Sequence, residues 1–175
     1  MPEMRVIARM ARRVRFILLC ALLAGTIAFT AWFAERQSAS ISGTARIVDG
    51  DSLYVDGTEI RLFGIDAPEL HQTCQRGGRL WNCGADAAAA LRAASAGKDI
   101  VCKPRERDRY GRTVAVCQAG GLDLGAAMIK GGYAVSYGGY EADEREARDA
   151  RRGIWSSSFD NPAAWRARHP RPPRS

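Results

Sequence analysis

The chain has 175 residues, of which 46% are hydrophobic and 26% are charged, and its formal net charge is +7. This length predicts one globular domain with short accessory segments. The positive charge is concentrated at the ends, because residues 1–15 carry five Arg and one Glu, and residues 163–175 carry four Arg and no acid. Residues 37–162 therefore have a net charge of −1. This argues against a uniformly basic nucleic-acid surface and leaves local clusters, such as residues 103–112, to attract phosphate groups.

The amino-terminal segment is typical of an exported protein. Residues 16–34 (FILLCALLAGTIAFTAWFA) contain no charge and follow a basic stretch at residues 1–15. A helix of this length spans about 28 Å, close to the hydrocarbon thickness of a bilayer, and the arginines predict a cytoplasmic amino end. We predict a membrane anchor, with residues 35–42 as a linker. A signal peptide cleaved near residues 38–40 is the alternative, so the domain is predicted in the cell envelope or secreted.

Four cysteines outside the apolar segment support export, because disulfides persist in oxidising compartments. Four cysteines allow three pairings. We predict Cys74–Cys83, which closes a glycine-rich polar loop, and Cys102–Cys117, which joins strands on either side of a charged turn. A zinc site is the alternative, although the sequence has no CxxC pair and no nearby His pair.

The chain is organised around residues 49–69, DGDSLYVDGTEIRLFGIDAPE. Asp56-Gly57 lies between two runs that alternate apolar and polar residues, which predicts a tight β-hairpin. The hairpin brings Asp51, at the start of one strand, close to Asp66, at the end of the next, and Arg61 lies on the returning strand. We therefore expect carboxylates and an arginine to converge at one edge of a small sheet. A solvated turn is the alternative interpretation of the DGD motif.

Such a cluster has a definite chemistry. Clustered carboxylates repel one another, and a hard cation such as Ca²⁺ removes the repulsion because it prefers oxygen ligands from Asp, Glu and backbone carbonyls. An arginine beside a bound cation suits a phosphate, since the planar guanidinium pairs with two phosphate oxygens. The combination predicts phosphodiester hydrolysis.

The remaining patterns predict an α+β fold that is mainly β. Strands are predicted at residues 43–49, 51–56, 59–65, 100–103 and 112–117, with a loop at 69–83. Helices are predicted at residues 84–96, 122–130 and 141–152. This order fits a five-stranded Greek-key barrel of the OB type with three appended helices, which we place in residues 43–160. Residues 161–175 form a Pro/Arg-rich tail that is predicted to be disordered.

Two ordered motifs resemble those of the staphylococcal nuclease family. Residues 49–69 resemble its first signature, and the DRYGR sequence of residues 108–112 resembles its second, with GIW at residues 153–155 near the end. The resemblance covers residues 43–156. It implies a calcium-dependent endonuclease that acts on single-stranded or loosely paired DNA and RNA and leaves 3′-phosphates, and it implies no protein partner. The alternative is a non-catalytic OB-fold nucleic-acid-binding or scaffold module of the cell envelope.

The resemblance also implies a role for each residue of the cluster. Two carboxylates and one backbone carbonyl are implied as Ca²⁺ ligands, two arginines as ligands of the scissile phosphate, and one glutamate as the group that orients or deprotonates water. The metal ligands are Asp51, Asp66 and the carbonyl of Ala67, the arginines are Arg61 and Arg112, and the glutamate is Glu69. A surface salt bridge is the alternative role for Arg112, and turn capping is the alternative for Glu69.

Further residues are expected to contact the nucleotide. We expect Arg109 to bind a terminal phosphate and Tyr110, in the second signature, to contact a base, with a place in the core as the alternative for Tyr110. Tyr137 and Tyr140 are expected to stack on a base, as aromatic residues do on single strands.

Overall fold

The computed structural model describes residues 15–16, 18–27, 29–30 and 40–170. The chain divides into two compact units, Met1–Ala39 and Ser40–Ser175. In the first unit the described residues between 15 and 30 form helix α1. A search of the described residues finds no helix that is both long and apolar enough to cross a membrane. Parts of the predicted anchor and the predicted cleavage region fall outside the described residues, so neither prediction is tested there.

The second unit has an α+β fold with a curled half-barrel sheet. Its described strands are β1 (Ile41–Gly43), β2 (Ala45–Ile47), β3 (Ser52–Val55), β4 (Thr58–Leu62), β5 (Ile65–Asp66), β6 (Cys74–Arg76), β7 (Arg79–Trp81), β8 (Ile100–Arg107), β9 (Thr113–Ala119), β10 (Leu122–Asp123) and β11 (Val135–Ser136). Its described helices are α2 (Cys83–Ser95), α3 (Leu124–Lys130), α4 (Glu141–Asp149) and α5 (Pro162–Arg168), with a 3-10 helix at Gly153–Ser156.

The main sheet has the strand order β1-β8-β9-β4-β3-β2, and β10 pairs with β9. All of these pairs are antiparallel except β4 with β9. Strands β1 and β2 are separated in sequence only by Thr44, yet β1 pairs with β8 at one end of the order and β2 with β3 at the other. One short stretch of chain therefore borders both ends of the sheet, which requires the sheet to curl.

The predicted hairpin is confirmed. Asp56 and Gly57 have φ values of 47° and 72°, as the tight primed turn requires. The register pairs Val55 with Thr58 and Ser52 with Arg61. The two strand ends that carry the expected acids therefore meet at the same edge of the sheet.

The core lies inside the curl of the sheet and under helices α2 and α3. Its largest side chains are almost fully buried: Leu53, Ile60, Leu62, Leu91, Ile100, Leu124, Met128 and Ile129. Burying one such side chain stabilises the fold by about 1.5–3 kcal/mol. Because Ile60 and Leu62 both face this core, the alternation of β4 directs Arg61 to the opposite face.

Both predicted disulfides are present. Cys74–Cys83 has a Cα–Cα distance of 5.7 Å, and Cys102–Cys117 joins directly paired residues of β8 and β9 with a Cα–Cα distance of 4.0 Å. Each loop closure adds roughly 2–4 kcal/mol, mainly by restricting the unfolded chain. The two bridges indicate an extracytoplasmic location.

Three local predictions are corrected. The predicted loop 69–83 contains the two-stranded β6–β7 hairpin. The predicted helix 122–130 begins only at Leu124, because residues 122–123 pair with β9 and Asp123 caps the helix by accepting the Ala126 N–H at 2.9 Å. The predicted helix 141–152 ends at Asp149, and a 3-10 helix follows it.

The prediction of a disordered tail is wrong for residues 162–168, which form α5. Asn161 caps this helix by accepting the Ala163 N–H at 3.0 Å, and the buried Pro162 occupies its first turn. An Asn-Pro start is a favourable helix beginning because the Asn side chain satisfies an orphan N–H and Pro loses no hydrogen bond there. Residues 171–175 of the predicted tail lie outside the described residues.

Candidate active site

Asp51 is a buried carboxylate of the site, and two hydrogen bonds fix its position. It lies in the turn before β3, where its Oδ2 accepts the Ala67 N–H at 3.0 Å and its Oδ1 accepts the Ser52 hydroxyl at 2.8 Å. Gly50 permits this close approach, because a Cβ at that position would lie 2.6 Å from the Cβ of Ala67 and 2.7 Å from that of Ala87. The turn is thus held against both the Ala67 segment and helix α2.

Arg61 joins the two predicted metal-binding carboxylates. Its Nη1 donates to Asp51 Oδ1 at 3.3 Å, and its Nη2 lies 3.2 Å from Asp51 Oδ2. The same Nη2 donates to Asp66 Oδ1 at 2.6 Å. The expected convergence of these three side chains is confirmed, since the two carboxylates lie within the span of one guanidinium.

Glu69 is fixed in the loop after β5 by a buried glutamine. Its N–H donates to Gln72 Oε1 at 3.2 Å, and its carbonyl accepts the Gln72 N–H at 2.7 Å. A Cβ on Gly84 would lie 1.7 Å from the Glu69 carbonyl oxygen, so the start of α2 packs directly on this loop. The Glu69 carboxylate is also buried. One guanidinium contacts both Glu69 and Asp66, so these two carboxylates lie close together.

That guanidinium belongs to Arg166 of α5, which the sequence reasoning missed. Arg166 Nη1 and Nη2 donate to the two oxygens of Asp66 at 2.8 Å each, and Nη1 also donates to Glu69 Oε1 at 3.1 Å. Arg166 is 97 residues from Glu69 in sequence, in a segment whose composition predicts disorder. The only sequence signal for this helix is the Asn-Pro pair at its start.

Burial and neighbouring charges shift the pKa values of the cluster. Burial raises the pKa of Asp51 to about 7, and the nearby carboxylates of Asp49 and Asp66 add to the rise while Arg61 opposes it. Burial alone would lower the pKa of Arg61, but Asp51, Asp66 and the phenol of Tyr137 raise it above its ordinary value. Arg61 therefore stays charged, whereas the Asp51 carboxyl gains or loses its proton near neutral pH.

The donor chemistry of the site fits a hard divalent cation. Asp49, Asp51, Asp66 and Glu69 are all buried. With Arg61 and Arg166, these side chains carry a formal charge of −2 when all are ionised, which attracts a divalent cation. Among the described residues, no three His, Cys, Asp or Glu side chains are grouped as a metal site. Two carboxylates, a backbone carbonyl and water molecules nevertheless form a suitable Ca²⁺ ligand set, since Ca²⁺ accepts all of these oxygens.

The second predicted segment forms the charged turn before β9. Asp108 Oδ1 accepts the N–H groups of Tyr110 at 2.9 Å and Arg112 at 3.0 Å, and Asp108 Oδ2 accepts Arg112 Nε at 2.8 Å. The parallel register aligns Arg61 with Val114, two residues after Arg112. Arg112 lies immediately before β9, the strand that pairs with the strand of Arg61. The salt bridge considered as an alternative for Arg112 is present, and it holds the guanidinium within the turn.

Comparison of the sequence with known protein families identifies the family of this chain. The profile described as "Staphylococcal nuclease homologue" matches residues 59–157, more than half of the chain. The chain belongs to this family.

Several named proteins are similar to this chain. The succinoglycan biosynthesis protein ExoI of Rhizobium meliloti is 35% identical over 134 residues, which cover 72% of this chain and 70% of that protein. A protein named uncharacterized endonuclease from Escherichia coli O157:H7 is 33% identical over 135 residues, 71% of this chain and 82% of that protein. A probable endonuclease LCL3 of Schizophyllum commune is 32% identical over 134 residues, 63% of this chain and 45% of that protein. Family membership and the two endonuclease names support nuclease activity in general.

The four predicted nucleotide-contact residues of this staphylococcal nuclease domain differ in setting. Tyr110 is 69% exposed, and Arg109 stacks on its ring and bonds its hydroxyl at 2.8 Å. Tyr137 is 55% exposed and near enough to Arg61 to affect its pKa. Tyr140 packs against the main core, and its hydroxyl lies 3.2 Å from both carboxylate oxygens of Asp123.

Proposed function

We propose that this chain is a calcium-dependent phosphodiester hydrolase, an endonuclease that cleaves single-stranded or loosely paired DNA and RNA. The observation that carries the proposal is the Arg61 bridge between Asp51 and Asp66, which lies beside Glu69 in one buried cluster. The family and the endonuclease names of relatives support the same reaction class.

The metal ligands in this proposal are Asp51, Asp66 and the carbonyl oxygen of Ala67. A bound calcium ion supplies a positive charge that offsets the charge developing on the phosphate. The hydrogen bond from the Ala67 N–H to Asp51 fixes the Asp66–Ala67 peptide, which precedes this carbonyl, relative to the first carboxylate. The protein thus presents its oxygen ligands from two segments that are already locked together.

The remaining side chains act on the phosphate and the water. Arg61 and Arg112 bind the non-bridging phosphate oxygens and stabilise the extra negative charge of the transition state. Glu69 orients the attacking water or takes its proton. The water oxygen bonds to phosphorus while the bond from phosphorus to the 5′ oxygen breaks, which leaves a 3′-phosphate and a 5′-hydroxyl.

The substrate strand is proposed to cross the face that carries the exposed tyrosines. Tyr137 lies near enough to Arg61 to affect the pKa of that guanidinium, and the ring of Tyr110 lies 5.6 Å from the Arg112 guanidinium. Exposed aromatic faces of this kind stack on unpaired bases. Tyr140 has its hydroxyl engaged by Asp123, so we assign it a packing role instead.

The architecture proposed for the domain is the OB-type barrel. Counting the stretch from β1 to β2 as one strand, it forms a five-stranded set with β3, β4, β8 and β9. We also propose that the domain, residues 43–160, works in the cell envelope. Its amino-terminal helix anchors it there if uncleaved, and the protein is secreted if that helix is removed.

Digestion of denatured DNA by the full-length chain tests the function. We expect cleavage with calcium, no cleavage after chelation, and products that carry 3′-phosphates. Glu69→Gln should cleave at least about tenfold more slowly, because general base or water-orienting groups contribute about 10²–10⁴ in rate. Binding of denatured DNA without cleavage under any metal condition would instead support the non-catalytic module.

A further inference from the structure

The last described helix places an arginine on two acids of the proposed active site. Arg166 binds both carboxylate oxygens of Asp66 at 2.8 Å each and Glu69 Oε1 at 3.1 Å. Such bidentate guanidinium–carboxylate pairs are among the stronger hydrogen-bonded ion pairs in proteins. Arg166 also lies beyond residues 59–157, the part of the chain that matches the family.

The backbone that leads to Arg166 is fixed rather than free. Ser158 and Gln75 exchange two backbone hydrogen bonds of 2.9 Å, which ties this segment to the hairpin closed by the first disulfide. Gln72 Nε2 then donates to the Asp160 carbonyl at 2.7 Å. These contacts hold the segment before α5 against the loop that carries Glu69, and this fixes the position from which Arg166 reaches Asp66.

A divalent cation and Arg166 need the same carboxylate. Asp66 is a proposed metal ligand, yet Arg166 occupies both of its oxygens and Arg61 also binds Oδ1. Arg61 and Arg166 already place two positive charges on Asp66, so a divalent cation at the same carboxylate meets a repulsion that is weakly screened at a buried site. The side chain of Arg166 is 33% exposed, so it has access to solvent when it leaves Asp66.

We propose that Arg166 is a positioning residue whose charge takes the place of the cation when none is bound. This inference rests on the function proposed above. In the cation-free chain its single positive charge partly offsets the charges of Asp66 and Glu69 and holds both carboxylates in place. When a divalent cation binds, Arg166 leaves these carboxylates and α5 loosens from the site. Release of Arg166 also removes its hydrogen bond to Glu69 Oε1, so cation binding and the hydrogen bonding of Glu69 are coupled through one side chain.

Calcium affinity of the full-length chain, measured by isothermal titration calorimetry after chelator treatment, tests this competition. Arg166→Gln removes the charge, and we expect the Kd for calcium to fall about tenfold or more, since the cation no longer has to displace charged hydrogen bonds from Asp66 and Glu69. Arg166→Lys keeps the charge but loses the planar fork, so its Kd should lie between the two. Arg168→Gln is the matched control, because Arg168 lies on the same helix and pairs with Asp160 at 2.6 Å; its Kd should stay within about twofold of wild type, as expected for an exposed pair.

The outcomes separate this inference from the proposed function. An unchanged Kd in Arg166→Gln, in a wild-type chain that binds calcium and cleaves denatured DNA, overturns the competition alone. No calcium binding by any chain together with no cleavage overturns the function and the inference with it. Calcium binding by Arg166→Gln but not by wild type supports the inference.

A second readout uses the wild-type chain and does not depend on the folding of any variant. Trypsin cleavage after Arg166 should accelerate when calcium is added, because the released helix becomes accessible. Cleavage after Arg79, in the exposed β6–β7 hairpin, corrects for the effect of calcium on trypsin itself. An unchanged ratio of the two cleavage rates at a calcium concentration that saturates binding would overturn the proposed release.

Discussion

Replacing Gln72 by Ala tests how the active-site loop is joined to the carboxyl-terminal segment. Gln72 is fully buried, its Oε1 accepts the Glu69 N–H at 3.2 Å, and its Nε2 donates to the Asp160 carbonyl at 2.7 Å. One side chain thus links the residue proposed to orient water with the segment that leads to α5. A polar residue is needed at this position because the Glu69 N–H that it accepts is buried. The Asp160 carbonyl is only partly buried.

The structure allows the cost to be worked out. Gln72→Ala leaves the buried Glu69 N–H and the partly buried Asp160 carbonyl without their side-chain partner, and a buried unpaired group costs about 1–3 kcal/mol. Because Asp160 is exposed and water can replace the partner of its carbonyl, we expect the free energy of unfolding to fall by about 1–3 kcal/mol, a substantial share of the 5–15 kcal/mol typical of a domain. The cleavage rate should also fall at least about tenfold, because a displacement of about 1 Å at a reacting group costs up to 10²-fold.

Urea denaturation and single-turnover cleavage of denatured DNA, both at fixed calcium, measure the two effects. Gln118→Ala is the control, because Gln118 is an exposed residue of β9 and its loss should change stability by no more than about 0.5 kcal/mol. If Gln72→Ala unfolds at the same urea concentration as the control and cleaves at the wild-type rate, the assigned link between Glu69 and Asp160 is wrong.

Three further predictions follow from the same contacts. The folded-state pKa of Asp51 is raised to about 7 from an ordinary value of 3.8, so between these pH values the folded chain binds a proton that the unfolded chain has lost. The unfolding free energy of the chelated protein should therefore fall as pH rises from about 4 to 7, by at most about 1.4 kcal/mol per pH unit. Urea titrations of wild type and Asp51→Asn should differ in this slope, and equal slopes would refute the shift. Replacing Cys74 and Cys83 by Ser should lower the unfolding free energy by roughly 2–4 kcal/mol, and a denaturation midpoint equal to that of the oxidised wild type would contradict the bridge. Asp108→Ala removes the three hydrogen bonds that order the turn before β9. We expect kcat on denatured DNA to fall several-fold because Arg112 is then no longer held in position. An unchanged kcat would show that Asp108 does not position Arg112.

Local patterns predicted the central part of the site because its residues are close in sequence. The positive φ values of Asp56 and Gly57 fix the turn, and the turn fixes the register that brings Arg61 beside the two carboxylates. The disulfides were predictable for a similar reason, since each joins cysteines 9 or 15 residues apart across a short connection.

Long-range contacts were beyond such reasoning. Nothing local to Arg166 indicates that it binds Asp66, because the contact depends on the path of the chain from residue 157 to 161 and on the buried amide of Gln72. The composition of the tail was also misleading. Its arginines and prolines are typical of disorder, yet the Asn161 cap and the packing of Pro162 order a helix of seven residues.

The central claim is that the Arg61 bridge organises a phosphodiester-cleaving site, and the rate of cleavage by Arg61→Gln tests it most directly. Single-turnover cleavage of denatured DNA with saturating calcium should be compared among wild type, Arg61→Gln and the control Arg46→Gln, whose arginine lies on the neighbouring sheet surface and stacks on Tyr54 at 4.3 Å. We expect Arg61→Gln to be slower by about 10²-fold or more, as for the loss of one electrostatic partner of a transition state, and Arg46→Gln to match wild type. Cleavage by a folded Arg61→Gln chain at the wild-type rate would contradict the account.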